Sequence, residues 1–213
     1  FIIRITSGSA EGRNLLISRT VSNGTDTLTI DTATSGVSDL TSLGIVAGVD
    51  QFEITECDTL LSLFGEPTAG GVIGASSSST ADVIYIFKGS SWAKFYFDTD
   101  TSLWTKVGFG SVTSSNEILW PDAGIIYSRL SNQSSKFVIT GTVPDTGRNL
   151  TVNGSGLTPV SNSWPTDILL SQTGFESIPS WISSTDSSVA DIVYIFTTSW
   201  QQYYHDGTNW RKR

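Results

Sequence analysis

The chain has 213 residues, enough for one large β domain or two smaller ones, and 38% of them are hydrophobic while only 15% are charged. The formal net charge of −8 and the lack of a basic stripe argue against a nucleic-acid partner, because phosphate contacts need clustered Lys and Arg. Seven tryptophans, six tyrosines and ten phenylalanines argue against a disordered chain.

The first part of the chain predicts a β meander. Phe1–Thr6 is rich in β-branched residues and is followed by the turn sequence Ser-Gly-Ser-Ala-Glu-Gly. Asn14–Ser18 predicts a second strand. The dipeptide Asn23-Gly24 then predicts a tight turn before a third strand at Thr27–Asp31.

Two short helical segments are predicted further along. Val37–Val49 contains glycines and mixed spacing that suit a short helical turn, and Asp50–Thr55 returns to the alternation of a strand. Thr59–Phe64 is the best helix candidate, with Asp58 as its N-cap and Gly65 as its stop.

Cys57, the single cysteine, excludes an intrachain disulfide and a zinc site built on paired cysteines, and is predicted to be a small buried hydrophobe. No apolar stretch approaches the roughly 20 residues that a membrane helix needs. The chain starts at Phe1 and contains no Met, as expected if a signal peptide has been removed. These features, together with the many Ser, Thr and Gly residues, predict a secreted protein that acts outside the cell or at its surface.

An internal repeat is the strongest signal in the sequence. Residues 79–87 recur as residues 188–196, and both contain Ala-Asp followed by a β-rich run that ends in Tyr-Ile-Phe. Each copy continues with a polar turn, the pair Ser-Trp, an aromatic strand and a second tryptophan. Each copy therefore predicts two paired strands with an aromatic core. The predicted core aromatics are Tyr85, Phe87, Trp92 and Trp104 in the first copy and Tyr194, Phe196, Trp200 and Trp210 in the second.

Together these signals predict an all-β protein with two repeated antiparallel β units, sandwich-like or barrel-like, and an N-terminal meander joined to the first. The predicted domains are residues 1–144, which hold the meander and the first unit, and residues 145–213, which hold a shortened second unit.

The two units differ in their last strands. The first continues beyond Trp104 through Trp120–Arg129 and Phe137–Pro144, while the second stops three residues after Trp210. The second unit is therefore predicted to have an open edge, which a strand from another chain could close. Phe1–Thr6 is the candidate donor, since it resembles the segment Gly-Ile-Ile-Tyr-Ser-Arg; in the alternative, the two ends of one chain pair internally. The candidate donor residues are Phe1, Ile2, Ile3 and Ile5.

The order of motifs resembles a family of secreted bacterial proteins of unknown function. The resemblance rests on Arg4–Gly12 followed by Asp26–Asp31, on the repeated Tyr-x-Phe and Trp units, and on Pro121–Ile126 leading to Thr140–Pro144. Members of that family carry the Pro-x-x-Gly strand in both units, whereas this sequence has it only in the first. The resemblance implies secretion and assigns no activity.

Candidate catalytic and metal-binding residues are better explained by turns. His205, the only histidine, precedes Asp-Gly at a predicted hairpin, and no Gly-x-Ser-x-Gly elbow accompanies it. The pairs Asp98/Asp100 and Glu53/Glu56 are close in sequence, but turn chemistry accounts for acidic residues at such places. Asp98–Thr101 resembles the start of a calcium loop without its glycine and its final glutamate. No catalytic residue, cofactor or metal ligand is therefore predicted.

The leading hypothesis is a non-enzymatic structural subunit of an extracellular filament or surface layer, which polymerises by strand donation between copies of itself. The alternative is a carbohydrate-binding or adhesive module that recognises surface glycans through exposed tryptophans. A hydrolase built on His205 or on an acidic pair is the weakest interpretation. No nucleic-acid partner and no membrane span are expected.

Overall fold

The computed structural model describes residues 1–68, 71–89, 91–110, 112–121, 123–130, 138–139, 147–149, 152, 154, 156–162 and 166–213. The chain divides into two compact units, Phe1–Ser163 (unit 1) and Trp164–Arg213 (unit 2). The predicted domain boundary between residues 144 and 145 lies outside the described residues. The segment Thr140–Pro144, one of the motifs behind the family resemblance, lies outside them as well.

Unit 1 begins with a three-stranded sheet whose central strand is buried. β1 (Ile2–Ile5) lies between β2 (Asn14–Leu16) and β3 (Phe52–Thr55) and is antiparallel to both. Successive side chains of a strand point to opposite faces. Alternate residues of β1 therefore enter two separate apolar clusters, and the strand is buried on both faces.

A short ladder and a short helix follow. β4 (Asp58–Thr59) pairs with β8 (Ile118–Leu119), and α1 (Leu60–Phe64) begins directly after β4. Thr59 and Ser62 form a capping box: the Ser62 N–H donates to Thr59 Oγ1 (3.1 Å), and the Thr59 N–H donates to Ser62 Oγ (2.7 Å). The predicted helix is confirmed, but its N-cap is Thr59 and not Asp58, because Thr59 is the residue whose side chain reaches the free N–H of the first turn.

A four-stranded antiparallel sheet carries the first repeat. Its strands are β5 (Val83–Phe87), β6 (Trp92–Asp98), β7 (Leu103–Lys106) and β9 (Ile125–Ser128), in the order β7-β6-β5-β9. One face of this sheet packs on α1 and forms the largest apolar cluster of the unit. The buried members of that cluster are Leu60, Val72, Ile84, Ile86, Ala93, Phe95, Phe97, Trp104 and Leu119.

Unit 2 contains two short 3₁₀ helices and one sheet. The helices are Leu170–Gln172 and Phe175–Ser177. The sheet has three antiparallel strands, β10 (Val193–Phe196), β11 (Trp200–His205) and β12 (Trp210–Lys212), in that order. Every described residue of this unit keeps some contact with solvent, and none reaches the burial of the unit 1 core.

The all-β prediction is confirmed: the described residues form four antiparallel sheets, and none of these sheets closes into a barrel. A 3₁₀ helix at Leu40–Leu43 provides the helical turn predicted within Val37–Val49. The strand predicted at Thr27–Asp31 is reduced to a single bridge between Ile17 and Ile30. Within the described ranges, no helix has the length and apolar character required to cross a membrane.

Candidate functional site at the free edge of the second repeat

The two copies of the repeat fold with the same strand register. Ile84 lies opposite Phe95 in the first copy, and Val193 lies opposite Tyr203 in the second. The last pair before the hairpin loop is Phe87 with Trp92 in one copy and Phe196 with Trp200 in the other. These positions are equivalent in the sequence repeat, so β5, β6 and β7 correspond to β10, β11 and β12.

In each copy, the aspartate before the repeated strand is hydrogen-bonded in the same way to an isoleucine nine residues earlier. The Asp82 N–H donates to the carbonyl of Ile73 (2.8 Å), and the Ile73 N–H donates to Asp82 Oδ2 (2.9 Å). The Asp191 N–H donates to the carbonyl of Ile182 (2.9 Å), and the Ile182 N–H donates to Asp191 Oδ2 (2.8 Å). Asp191 is therefore the structural counterpart of Asp82.

In the first copy, β9 and the residues after it complete the surroundings of this aspartate. Asp82 is fully buried (0% exposed). Besides Ile73, its carboxylate accepts the Tyr127 hydroxyl on Oδ2 and the Leu130 N–H on Oδ1 (2.8 Å). The guanidinium of Arg129 lies 3.7 Å from Oδ2. A buried carboxylate needs such partners, because its lost hydration must be replaced.

The same surroundings act on Tyr127. Burial, followed by its hydrogen bond to Asp82 and the charge of that carboxylate, raises the pKa of Tyr127 to about 12. Arg129 opposes this shift, since a cation favours the phenolate. Tyr127 is therefore held in its protonated, hydrogen-donating form.

The second copy has the aspartate without these partners. Ile182 is the one hydrogen-bond donor to the Asp191 side chain among the described residues, and Oδ1 has none. Asp191 is only partly buried, so water reaches it. In the described part of unit 2, no strand occupies the place next to β10 that β9 occupies next to β5.

One edge of β10 has no partner strand among the described residues (the free edge), and it carries backbone groups that can pair with a strand. Hydrogen bonding alternates along an antiparallel strand. The Thr197 N–H donates to the carbonyl of Ser199 at the hairpin (3.1 Å), so the backbone groups of Ile195 point toward β11. The N–H and C=O groups of Tyr194 and Phe196 consequently point away from β11, toward the unoccupied edge.

The aromatic residues predicted to form the repeat cores are divided between core and surface. Trp104 is fully buried, and its indole N–H donates to the Gly65 carbonyl (2.9 Å). Tyr85, Phe87 and Trp92 lie partly exposed on the other face of their sheet, because the core positions of β5 are Ile84 and Ile86. In unit 2, Trp210 is partly buried, whereas Tyr194, Phe196 and Trp200 are exposed by 43%, 61% and 57%.

The segment predicted to be donated occupies the centre of its own sheet. β1 is paired with β2 along one edge and with β3 along the other, and Ile2, Ile3 and Ile5 are buried. Phe1, by contrast, is exposed. A strand with both edges paired can be given to another chain only by dismantling the sheet around it. The folded form therefore does not offer Phe1–Thr6 as a free donor.

His205 has a structural environment within unit 2. Its Nδ1 lies 3.0 Å from Ser183 Oγ, and its ring packs against Trp210 with the centroids 5.5 Å apart. Neighbouring Asp206 is engaged by Arg211, whose Nε donates to Oδ2 (2.7 Å). Among the described residues, no carboxylate is hydrogen-bonded to the His205 ring, so Ser183 and His205 form a pair and not a triad.

The acidic pairs considered from the sequence serve local structure. Asp98 Oδ1 accepts the Asp100 N–H (3.0 Å) in the β6–β7 turn. Glu53 faces Arg4 across the first sheet (3.9 Å). The described residues contain no group of three or more His, Cys, Asp or Glu side chains that could hold a metal ion. Cys57 is a free thiol next to the apolar cluster of Ile2, Leu16 and Ile118.

The role of the two aspartates was missed in the sequence, although a signal was present. The dipeptide Ala-Asp precedes both repeated strands, and an acidic residue next to a buried apolar run indicates a carboxylate that needs partners. Two of the partners of Asp82, Tyr127 and Leu130, lie 45 and 48 residues further along the chain, a separation that periodicity cannot reveal.

Comparisons of the chain with protein-family models, with curated proteins and with solved structures gave no match. The candidate site is therefore defined by the difference between the two copies of the repeat: the free edge of β10 together with Asp191.

Proposed function

We propose that the protein is a non-enzymatic structural subunit of an extracellular assembly, joined to neighbouring subunits by β-strand addition at the free edge of β10. The observation that carries the proposal is the contrast between two equivalent strands, since β5 is covered by β9 and β10 has one neighbour among the described residues. Unpaired strand edges are recognised by extended segments of other chains.

Two further features support an assembly function. Unit 2 contains no fully buried residue in its described part, so an added strand would bury apolar surface that now contacts solvent. A contact between the edge of one copy and a different surface of the next does not close on itself, and it can therefore build a filament. The low charge and the abundance of Ser and Thr support a place outside the cell.

The test is the association state of the full chain over a range of concentrations, by light scattering and electron microscopy. Tyr194→Pro is the blocking variant: it removes an N–H that points away from β11, and proline is tolerated at such edge positions. Tyr194→Phe is the matched control, because it changes the same residue and keeps the N–H. We expect oligomers or filaments from the wild type and from Tyr194→Phe, and monomers from Tyr194→Pro. Monomers in all three samples would refute the proposal.

Deletion of Phe1–Thr6 is no substitute for this test. It would remove the central strand of the first sheet, and a loss of assembly would then report the unfolding of unit 1.

One observation favours glycan binding as a second candidate function. Phe196 and Trp200 are exposed at the tip of the β10–β11 hairpin, with ring centroids 5.2 Å apart and planes inclined by 64°. Exposed aromatic rings can stack on sugars, although these two do not form a flat platform. Binding on a glycan array that is lost in Trp200→Ala, from a protein that stays monomeric, would support this candidate.

A further inference from the structure

We propose that unit 1 binds a neutral saccharide in a groove beside Trp120 (the Trp120 groove). Its first part is a cavity of about 410 Å³ between the end of β2 and the residues that lead into β8. Its second part, of about 390 Å³, lies at the end of β5. The two parts share Thr34, Lys88 and Trp120, so they form one groove, and each has the volume of a small-molecule site. The groove lies within unit 1, and the inference is therefore independent of strand addition at β10.

The most deeply buried residues of the groove are apolar and belong to the protein core. Leu16 and Ile118 line its first part and are 3% and 7% exposed. Trp120 packs against the cluster that contains both of them, and it lines both parts of the groove. A second aromatic residue, Phe87, lines the second part and is partly exposed. An aromatic ring held against a core gives a fixed apolar surface, on which the C–H groups of a sugar ring can stack.

One wall of the groove carries the carboxylate of Asp31 in a fixed position. Thr34 donates to it twice, from its N–H to Oδ1 (2.9 Å) and from its hydroxyl to Oδ2 (2.7 Å). The Asp31 N–H also donates to the carbonyl of Leu16 (2.8 Å), which attaches this turn to β2. The hydrogen bonds from the N–H and then the hydroxyl of Thr34 lower the pKa of Asp31, so the side chain is an acceptor at neutral pH. Each carboxylate oxygen has a second lone pair for a sugar hydroxyl.

The opposite wall carries Asn116 and Glu117. Lys88 forms an ion pair with Glu117 Oε1, which fixes the position of that carboxylate. Glu117 Oε2 and the side-chain amide of Asn116 make no hydrogen bond to any described residue, although both residues line the groove. A sugar hydroxyl donates and accepts hydrogen bonds at the same time. An amide beside a carboxylate provides both kinds of partner for neighbouring hydroxyls.

The charges of the groove cancel, which favours an uncharged ligand. The charged residues that line it are two cations, Arg19 and Lys88, and two anions, Asp31 and Glu117. A ligand with a net charge would meet like charge on one of the walls. The described residues also contain no group of three acidic or histidine side chains that could hold a metal ion. An uncharged ligand that has many hydroxyl groups and apolar ring faces is a saccharide.

The experiment screens the full chain against neutral glycans. The probes are an array of neutral oligosaccharides of glucose, mannose, galactose, xylose and N-acetylglucosamine. Oligogalacturonate is the anionic control and oligomeric glucosamine the cationic control, and calorimetric titration measures the affinities. We expect a neutral oligosaccharide to bind at least tenfold more tightly than either charged control. Absence of binding by every neutral oligosaccharide, or tighter binding of a charged control, would overturn the proposal.

Three variants locate the binding site. Trp120→Leu removes the ring and keeps an apolar side chain against the core, and it should weaken binding at least tenfold. Asn116→Ala changes an exposed side chain without a described partner, and it should weaken binding at least threefold while the fold is kept. Asn209→Ala is the matched control, since Asn209 is an exposed asparagine of unit 2, and it should bind as the wild type does.

The variants also separate this groove from the aromatic hairpin of unit 2. Full binding by both Trp120→Leu and Asn116→Ala would overturn the proposal. If binding were then lost in Trp200→Ala, the glycan would lie at the β10–β11 hairpin and not in the groove. The Asn116→Ala measurement keeps the test decisive even if Trp120→Leu is unstable.

Discussion

The carboxylate of Asp82 has no contact with solvent, so the free-energy cost of burying its charge must be offset by the hydrogen-bond donors around it. Tyr127, Ile73 and Leu130 each donate one hydrogen bond, and Arg129 provides a positive charge 3.7 Å away. Such a group stabilises a protein only while its partners are complete, because an unpaired buried charge costs several kcal/mol. Single residues around Asp82 are therefore expected to have large effects.

Tyr127→Phe tests this expectation. The substitution removes one donor to a buried carboxylate and should reduce the free energy of unfolding of unit 1 by about 1–3 kcal/mol. Tyr85→Phe is the matched control, since the Tyr85 hydroxyl makes no hydrogen bond to any described residue, and it should change the free energy of unfolding by less than about 0.5 kcal/mol. Amide hydrogen exchange in β5 and β6 measures both. Equal effects of the two substitutions would contradict the assigned role of Asp82.

The same tyrosine predicts a dependence on alkaline pH. The pKa of Tyr127 is raised from 10 to about 12, so folding favours the protonated hydroxyl. Its contribution to stability is complete below pH 10 and is lost as the pH rises through about 12. We expect wild-type unit 1 to lose more stability across this range than Tyr127→Phe does. Denaturant unfolding of both proteins at several alkaline pH values would show whether the two curves converge.

At the scale of the element, the two repeated hairpins have the same topology but are buried to different degrees. Trp104 and Trp210 occupy equivalent positions, opposite Phe97 and His205. Trp104 is fully buried, and its ring lies 5.9 Å from both Phe64 and Phe97. Trp210 packs on Trp181 and His205 and remains partly exposed. The tryptophan at this position should therefore contribute more to the stability of unit 1 than to that of unit 2.

Substitution of each tryptophan by alanine measures the difference. Trp104→Ala should cost about 3–5 kcal/mol, because it leaves a large cavity in a closed core. Trp210→Ala should cost less, about 1–2 kcal/mol, since solvent already reaches part of the ring. Hydrogen exchange read separately from β5–β7 and from β10–β12 would give both values. A larger loss for Trp210→Ala would mean that the second sheet is better covered than its exposure indicates.

The turn between β11 and β12 predicts a response to acid. The guanidinium of Arg211, followed by the N–H groups of Asn209 and Thr208, holds the pKa of Asp206 well below its usual range. Because the folded-state pKa is lowered, this contribution to stability is present above the ordinary carboxyl pKa, near 4, and is lost as the pH falls below it. Asp206→Asn should reduce the stability of unit 2 at neutral pH and flatten its response to acid. Tryptophan fluorescence during acid titration measures the unfolding of both proteins. A variant that responds to acid as the wild type does would contradict this prediction.

At the scale of the whole molecule, the two units differ in how completely their apolar side chains are buried. The described residues of unit 1 form three apolar clusters, whereas no described residue of unit 2 is fully buried. Local opening requires less free energy where few apolar contacts must be broken. Unit 2 is therefore expected to open before unit 1.

Amide hydrogen exchange gives a matched comparison at the edge itself. The N–H group of Tyr85 faces β9, where Tyr85 lies opposite Ile126, whereas that of Tyr194 faces the free edge. We expect the amide of Tyr194 to exchange at least a hundredfold faster than that of Tyr85 in the isolated chain. Similar rates at the two positions would show that the edge of β10 is covered in solution.

Much of the fold was predictable from local patterns. The internal repeat indicated two equivalent hairpins, and the helix at Leu60–Phe64 followed from its apolar run and from the glycine after it, although its N-cap is Thr59 and not the predicted Asp58. The burial of β1 on both faces was not predictable, because the clusters around it combine residues from distant segments. The role of Asp82 depends on Tyr127 for the same reason, and the exposure of Phe196 and Trp200 shows that a repeated sequence does not guarantee a repeated environment.

The partly exposed carboxylate of Asp191 has a consequence for the selectivity of the β10 edge. An uncovered apolar edge would accept almost any extended chain and so promote aggregation. A strand that covers Asp191 but brings no hydrogen-bond donors removes water from the carboxylate without replacing the lost hydrogen bonds. This free-energy cost disfavours strands of unrelated sequence. In the proposed assembly, Asp191 would therefore favour strands that bring hydrogen-bond donors and disfavour strands that bring none.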